Sequence, residues 1–182
     1  AVIKFKGEVE DSRESQGEFG NSILIVVVLI YMVLVIMFNS LIRPLLILII
    51  VPFGIAGSIY VLFIHGMSVY GFFAVIGSLG MIGVVINDAI VMVDKIDNSM
   101  RAESKHPWEV IASVASSRLR PILLTTITTL VGILPTAYGF AGYDSMLAEM
   151  MLTMGWGVGF GTLITLLLIP TLYTFQYKKQ DT

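Results

Sequence analysis

Apolar residues in this chain come in long unbroken runs, not as one stripe per element or in strict alternation. Five runs are long enough, or nearly so, for the ~20 residues that span a ~30 Å hydrocarbon core. They are approximately Ser22–Phe38, Leu45–Ile64, Phe72–Val93, Pro121–Gly139 and Ala148–Phe175. Helix is the form they predict. Lipid offers no water to backbone N–H and C=O groups, and the runs lack the two-residue period of barrel strands. The fold class expected is an all-α membrane protein with five transmembrane helices. Pro52 with Gly54 and Gly57 should bend the second span, and Pro135 the end of the fourth.

The opening segment reads differently. Ile3-Lys4-Phe5-Lys6-Gly7-Glu8-Val9-Glu10 alternates apolar and polar residues as a half-buried strand does, but it has too few apolar positions for a core. It predicts a β-strand remnant of an external domain, with residues 1–20 as that remnant and its acidic linker. The chain is expected to be a fragment of something larger. Between the third and fourth spans, Pro107 can open a connector helix over about 107–117. There Trp108, Ile111 and Val114 form a narrow stripe, suited either to the membrane surface or to a plain connector. Residues 178–182 are left as a tail.

Composition agrees with a membrane location. The 182 residues are 56% hydrophobic and only 13% charged, with a mean hydropathy of +0.88, whereas soluble domains carry about 25% charge. The net charge of -2 gives no reason to expect a nucleic-acid partner, and zero cysteines exclude disulfides, thiolate metal sites and cysteine nucleophiles. No phosphate-binding loop with Lys-Ser/Thr occurs, so no nucleotide or metal cofactor is expected and the chain does not read as an enzyme. Arg43, the group Lys95, Arg101, Lys105, Arg118 and Arg120, and the pair Lys178 and Lys179 fall in alternate connections. The positive-inside rule then places the N-terminal segment outside and the C-terminus in the cytoplasm.

The most informative residues are Asn87 and Asp88, side by side inside the third run. A carboxylate within a lipid-spanning helix costs roughly 2.5–3.5 kcal/mol on insertion scales, so it is retained for a partner, a cavity or an ion path. A structural hydrogen bond between the two is the plainer alternative. Asp94, about 9 Å nearer the helix end at 1.5 Å per residue, is expected to be solvated. On the fourth span Thr125, Thr126, Thr128 and Thr129 follow Arg118. The threonines can line a path or bond their own helix carbonyls. Arg118 can anchor at headgroups or reach toward Asp88. Gly77, Gly80 and Gly83 on the third span, and Gly155/Gly159 and Gly157/Gly161 on opposed faces of the fifth, predict close helix packing, with a hinge or sliding role as the sharper reading.

Several stretches together resemble a known family. They are Phe38-Asn39-Ser40 followed by Pro44; Val51-Pro52-Phe53-Gly54; Gly83 through Asp94; and Arg118-Leu119-Arg120-Pro121-Ile122-Leu123-Leu124-Thr125-Thr126. The set looks like the C-terminal membrane half of a resistance–nodulation–division (RND) multidrug efflux transporter, over essentially the whole chain. The resemblance implies spans eight to twelve of a twelve-span inner-membrane pump of bacteria, exporting amphipathic compounds against proton entry. Protons would be the coupling ion. It also implies a homotrimer, the N-terminal half of the same polypeptide, a periplasmic adaptor and an outer-membrane channel as partners. The family's proton relay uses an arginine and a threonine that fall on Arg118 and Thr125, while its lysine position is Asn87 here. Asn87-Asp88-Ala89-Ile90-Val91 also resembles the Asp-Asp-Ala-Ile-Val of the family's fourth span. Two other readings stay open: the membrane core of a lipid-handling or protein-export relative, and a structural membrane module that transports nothing.

Overall fold

The computed structural model describes residues 24–67, 71–102, 106–140 and 142–178. The β-strand expected near the start lies outside them. The described residues form α1 (Leu24–Phe38), α2 (Ile42–Leu48), α3 (Val51–Ile64), α4 (Phe72–Ala102), α5 (Pro107–Ala137) and α6 (Ser145–Lys178). With α2 and α3 taken as one stretch, Ile42–Ile64, four helices are long and apolar enough to cross a membrane, and Leu24–Phe38 is a shorter apolar helix. No strand occurs among the described residues.

The centre of the bundle is α6, against which α3, α4 and α5 all pack. Small residues make that possible. A Cβ on Gly77 would strike the Met150 carbonyl, and one on Gly157 would strike the Ser58 hydroxyl and Met81. A Cβ on Gly161 would strike Val85, while Gly155 and Gly159 turn the other way, toward Leu134 and Leu130 of α5. The two glycine pairs of α6 thus do face opposite neighbours. Gly80 meets only the flexible Met154 side chain, and Gly83 has open space around it. In lipid, where apolar burial gives helices little reason to associate, such backbone approach supplies the van der Waals contact that holds them.

Two sequence expectations meet a different geometry. The second span is interrupted at Ile49–Ile50, just ahead of Pro52 in the first turn of α3; Pro52 has no N–H to continue the ladder. The connector helix and the fourth span are one continuous helix, α5, which runs through Pro121. Its first turns are held by packing: Val110, Ile111 and Val114 are buried in the core cluster with Met92, Val93 and Ile96 of α4. Trp108, 61% exposed, does not join them. Likewise α4 continues past the apolar run to Ala102, so the charges after Val93 end the apolar surface and not the helix.

At the turn after α1, Asn39 has φ 46°, a left-handed conformation that asparagine tolerates better than most side chains. The turn is further held by Tyr31, whose hydroxyl donates to the Leu41 carbonyl at 3.3 Å.

Candidate functional site

Asp88 sits midway along α4 on the face that carries Met81, Val85, Ala89 and Met92, and it is 7% exposed. The Thr162 hydroxyl of α6 donates to its Oδ2 at 3.4 Å. Thr162 in turn accepts from the Thr126 hydroxyl of α5 at 3.0 Å, and Thr126 is also 2.9 Å from the Ile122 carbonyl oxygen of its own helix. Three helices therefore meet through one carboxylate and two hydroxyls, all buried. The close approach of α6 at Gly161 brings Thr162 within reach. Thr126 and Thr162 also form part of the wall of an otherwise apolar groove of about 250 Å³ between α5 and α6, with Leu130, Trp156 and Leu163.

Asn87 does not share this site. It is exposed, one turn beyond the exposed Gly83, while Asp88 turns inward. Gly83, Asn87 and Asp94 form a stripe along α4 that is exposed among the described residues. Arg118 is partly buried on α5 and makes no ion pair or hydrogen bond among the described residues. Thr125 uses its hydroxyl on its own helix, donating to the Ile122 carbonyl at 2.8 Å, as Thr128 and Thr129 do to the Thr125 carbonyl at 2.9 Å each. The structure thus joins Asp88 to Thr162 and through it to Thr126, and among the described residues gives no hydrogen bond or ion pair between Asp88 and Arg118 or Thr125.

A second polar cluster, which the sequence did not signal, lies nine residues further along α4. Asp97 is as buried as Asp88, and the Arg43 guanidinium Nε lies 2.8 Å from its Oδ2. The Tyr173 hydroxyl of α6 donates to Asp97 Oδ1 at 3.2 Å, and Arg43 Nη1 donates to the Phe38 carbonyl at 3.3 Å. Arg43 therefore ties the end of α1 and the start of α2 to α4. Toward the opposite end of α6, the Glu149 carboxylate crowds Gly71 at the entry to α4. The remaining buried hydroxyls are spent on packing. Ser58 donates to the Gly54 and Thr153 carbonyls at 3.1 and 2.9 Å, and Thr165 to the Gly161 carbonyl at 2.8 Å. Among the described residues no group of His, Cys, Asp and Glu is placed to hold a metal ion.

Comparison with known proteins places this bundle. The model of the AcrB/AcrD/AcrF family matches residues 1–176. The swarming motility protein SwrC of Bacillus subtilis is 34% identical over 181 residues, covering 97% of this chain and 17% of that protein. The multidrug resistance protein MdtC of Erwinia tasmaniensis is 32% identical over 156 residues, covering 86% of this chain and 15% of that protein. A solved heavy metal efflux pump has the same fold over 90% of this chain and 16% of its own, with a TM-score of 0.75 at 24% identity. The chain thus spans about a sixth of the length of these relatives.

Proposed function

The chain belongs to the AcrB/AcrD/AcrF family, of the RND transporters, and on that premise we propose that it is the C-terminal membrane half of a proton-driven exporter of amphipathic compounds or drugs. The observation that carries the reading is Asp88. It is a carboxylate buried in a membrane-spanning helix, with the Thr162 hydroxyl for a partner and no cation paired to it among the described residues. A group so placed is costly in lipid and is retained for a partner, a cavity or an ion path; with no cation among those residues to neutralise it, a proton path is the reading that fits. Protonation removes the charge and changes the bonding between α4 and α6, which biases a two-state arrangement of helices.

The uncovered stripe of Gly83, Asn87 and Asp94 supports the second half of the proposal. Polar groups facing acyl chains are unfavourable, so this face is suited to protein, namely the N-terminal half of a family-length polypeptide. Asn87 then lies at the seam between halves, where it adds no charge, and Asp88 lies one layer behind it. Arg118, without a partner among the described residues, is free to reach across the same seam, and Thr125 lies two turns further along that side of α5. The basic residues put the N-terminal segment outside and the C-terminus in the cytoplasm, and family membership points to the inner membrane of bacteria, with the outside as the periplasm. A homotrimer with a periplasmic adaptor and an outer-membrane channel completes the proposed assembly, and protons are its coupling ion.

The test is Asp88→Asn in the full-length transporter reconstituted in proteoliposomes, with efflux and proton uptake measured together and normalised to protein inserted. The substitution keeps the shape and fixes a neutral side chain. Gradient-driven efflux is expected to stop, with at least a hundred-fold loss on the scale of a lost proton-transfer group, roughly 10²–10⁴. Wild-type efflux and proton uptake would reduce Asp88 to a packing residue.

A further inference from the structure

We propose that Thr162 and Thr126 form a reversible hydroxyl relay that holds Asp88 in place in both of its protonation states, with Thr162 as the positioning residue. The inference rests on the reading that Asp88 gains and loses a proton during transport, and it adds how a lipid-buried carboxyl group can do so without stranding a polar atom.

The geometry permits two complete hydrogen-bond arrangements on one set of heavy atoms. A threonine hydroxyl has one proton to donate and two lone pairs to accept with. With Asp88 ionised, Thr162 donates to Oδ2 at 3.4 Å and Thr126 donates to Thr162 at 3.0 Å. With Asp88 protonated, the new O–H donates to Thr162 and the Thr162 proton turns toward the Thr126 oxygen. The Thr126 proton then turns to the Ile122 carbonyl, already 2.9 Å away. Each change is a rotation about a Cβ–Oγ bond. The proton that neutralises Asp88 comes from water and returns to it, and the two hydroxyl protons reorient without leaving their oxygens. Every donor has an acceptor in both states, which a valine or a second carboxylate in place of Thr162 would not provide.

Among the described residues, the surroundings leave this relay as the carboxyl group's means of adjustment. No charged side chain of α5 or α6 is paired with Asp88 among the described residues. On α5, Arg118 is eight residues from Thr126, about 12 Å along the axis. On α6, Glu149 and Tyr173 are more than ten residues from Thr162 on either side, and on α4 Asp97 is occupied by Arg43 and Tyr173. The neighbouring hydroxyls of Thr125 and Thr165 are engaged with carbonyls of their own helices. Because the relay crosses from α4 to α6 to α5, reversing it changes the bonding at both helix interfaces at once, and not only at the carboxyl group.

The experiment is infrared difference spectroscopy between alkaline and acidic pH on the full-length transporter, with the carboxylic C=O band of Asp88 assigned by its disappearance in Asp88→Asn. Thr162→Val, which keeps the shape and removes the hydroxyl, is expected to move that band to higher wavenumber and to lower turnover with the substrate KM unchanged. Thr162→Ser should keep the wild-type band and most of the turnover. Thr126→Val should give a smaller shift, since Thr162 then still accepts from Asp88, and it serves as the second readout where Thr162→Val lowers insertion. An unshifted band in both valine variants overturns the relay while leaving the titration of Asp88 intact. A difference spectrum unaltered by Asp88→Asn overturns the titration, and the relay falls with it.

Discussion

Asp88 and Asp97 stand on the same helix and are equally buried, at 7% exposed, yet they are treated in opposite ways. Asp97 has a guanidinium at 2.8 Å and a phenol hydroxyl on its other oxygen. Asp88 has one long hydrogen bond from a threonine and no countercharge among the described residues. An ion pair with an added hydrogen bond fixes a charge, because losing either partner leaves the other stranded. A carboxyl group served by hydroxyls can exist in either form, because hydroxyls donate or accept as required. The first arrangement fastens helices together, and the second leaves them free to respond to a proton. That the fastening sits at the turn joining α1 to α2, and the responsive group in mid-helix, separates the fixed end of the bundle from its adjustable middle.

The largest effect expected from this contrast is on stability. Arg43→Ala leaves a buried Asp97 unpaired, a change worth roughly 3–5 kcal/mol for fully buried pairs. Since the Arg43 side chain is 28% exposed, a loss of about 3 kcal/mol is the expectation. Asp88→Asn, which stops transport in the proposed function, should change stability by less than about 1 kcal/mol, as a near-isosteric swap that adds no unpaired charge. Unfolding of the two full-length variants in the same detergent measures both. Equal losses would erase the distinction between the two carboxylates.

Both sites depend on how near α6 comes to α4, and the glycines of α6 sharpen that point. An added Cβ at Gly157 meets Met81 Cγ at 2.8 Å and the Ser58 hydroxyl closer still, and that hydroxyl is already bonded to two carbonyls. At Gly159, two residues on, the nearest atom is Leu130 Cδ1 at 3.8 Å, an ordinary contact. Gly157→Ala should therefore destabilise by about 1–3 kcal/mol, as overpacking does. Gly159→Ala should be neutral or slightly favourable through helix propensity, worth up to about 1 kcal/mol. Thermal unfolding of the pair decides it: equal midpoints would mean that the α4–α6 approach is not what sets the position of Thr162 and Tyr173.

Much of this arrangement was legible in the residues. Apolar runs marked where α3, α4 and α6 lie, and the spacing of Gly155/Gly159 and Gly157/Gly161 foretold two opposed packing faces. What escaped follows from physics that local sequence does not encode. The charged residues after Val93 and before Pro121 bound the apolar spans but not the helices: Val110, Ile111 and Val114 keep α5 against α4 beyond the apolar run. Asp97 carries no local signal because its countercharge, Arg43, comes from a different helix more than fifty residues earlier and only packing brings them together. Asp88 stands out by its cost in lipid, but its partner does not, since Thr162 is one hydroxyl among many in α6.

The choice between Thr125 and Thr126 shows the same limit at its finest grain. One residue turns a helix by about 100°, so neighbouring threonines face different surroundings, and no composition or spacing says which faces α6. The structure turns Thr126 inward to Thr162 and leaves Thr125 exposed, its hydroxyl donating to the Ile122 carbonyl at 2.8 Å. A hydroxyl that bonds only its own helix adds little to stability and can slightly weaken or bend the helix. Thr125→Val should accordingly shift stability by no more than about 0.5 kcal/mol, the range of changes away from packed or networked positions. Its effect on efflux reports something else, whether the exposed face of α5 meets the N-terminal half at this residue. Stability and efflux both unchanged would remove Thr125 from the coupling path and leave Thr126 as the threonine of α5 that matters. Unchanged stability with lost efflux would put Thr125 at the seam, acting on groups outside this chain.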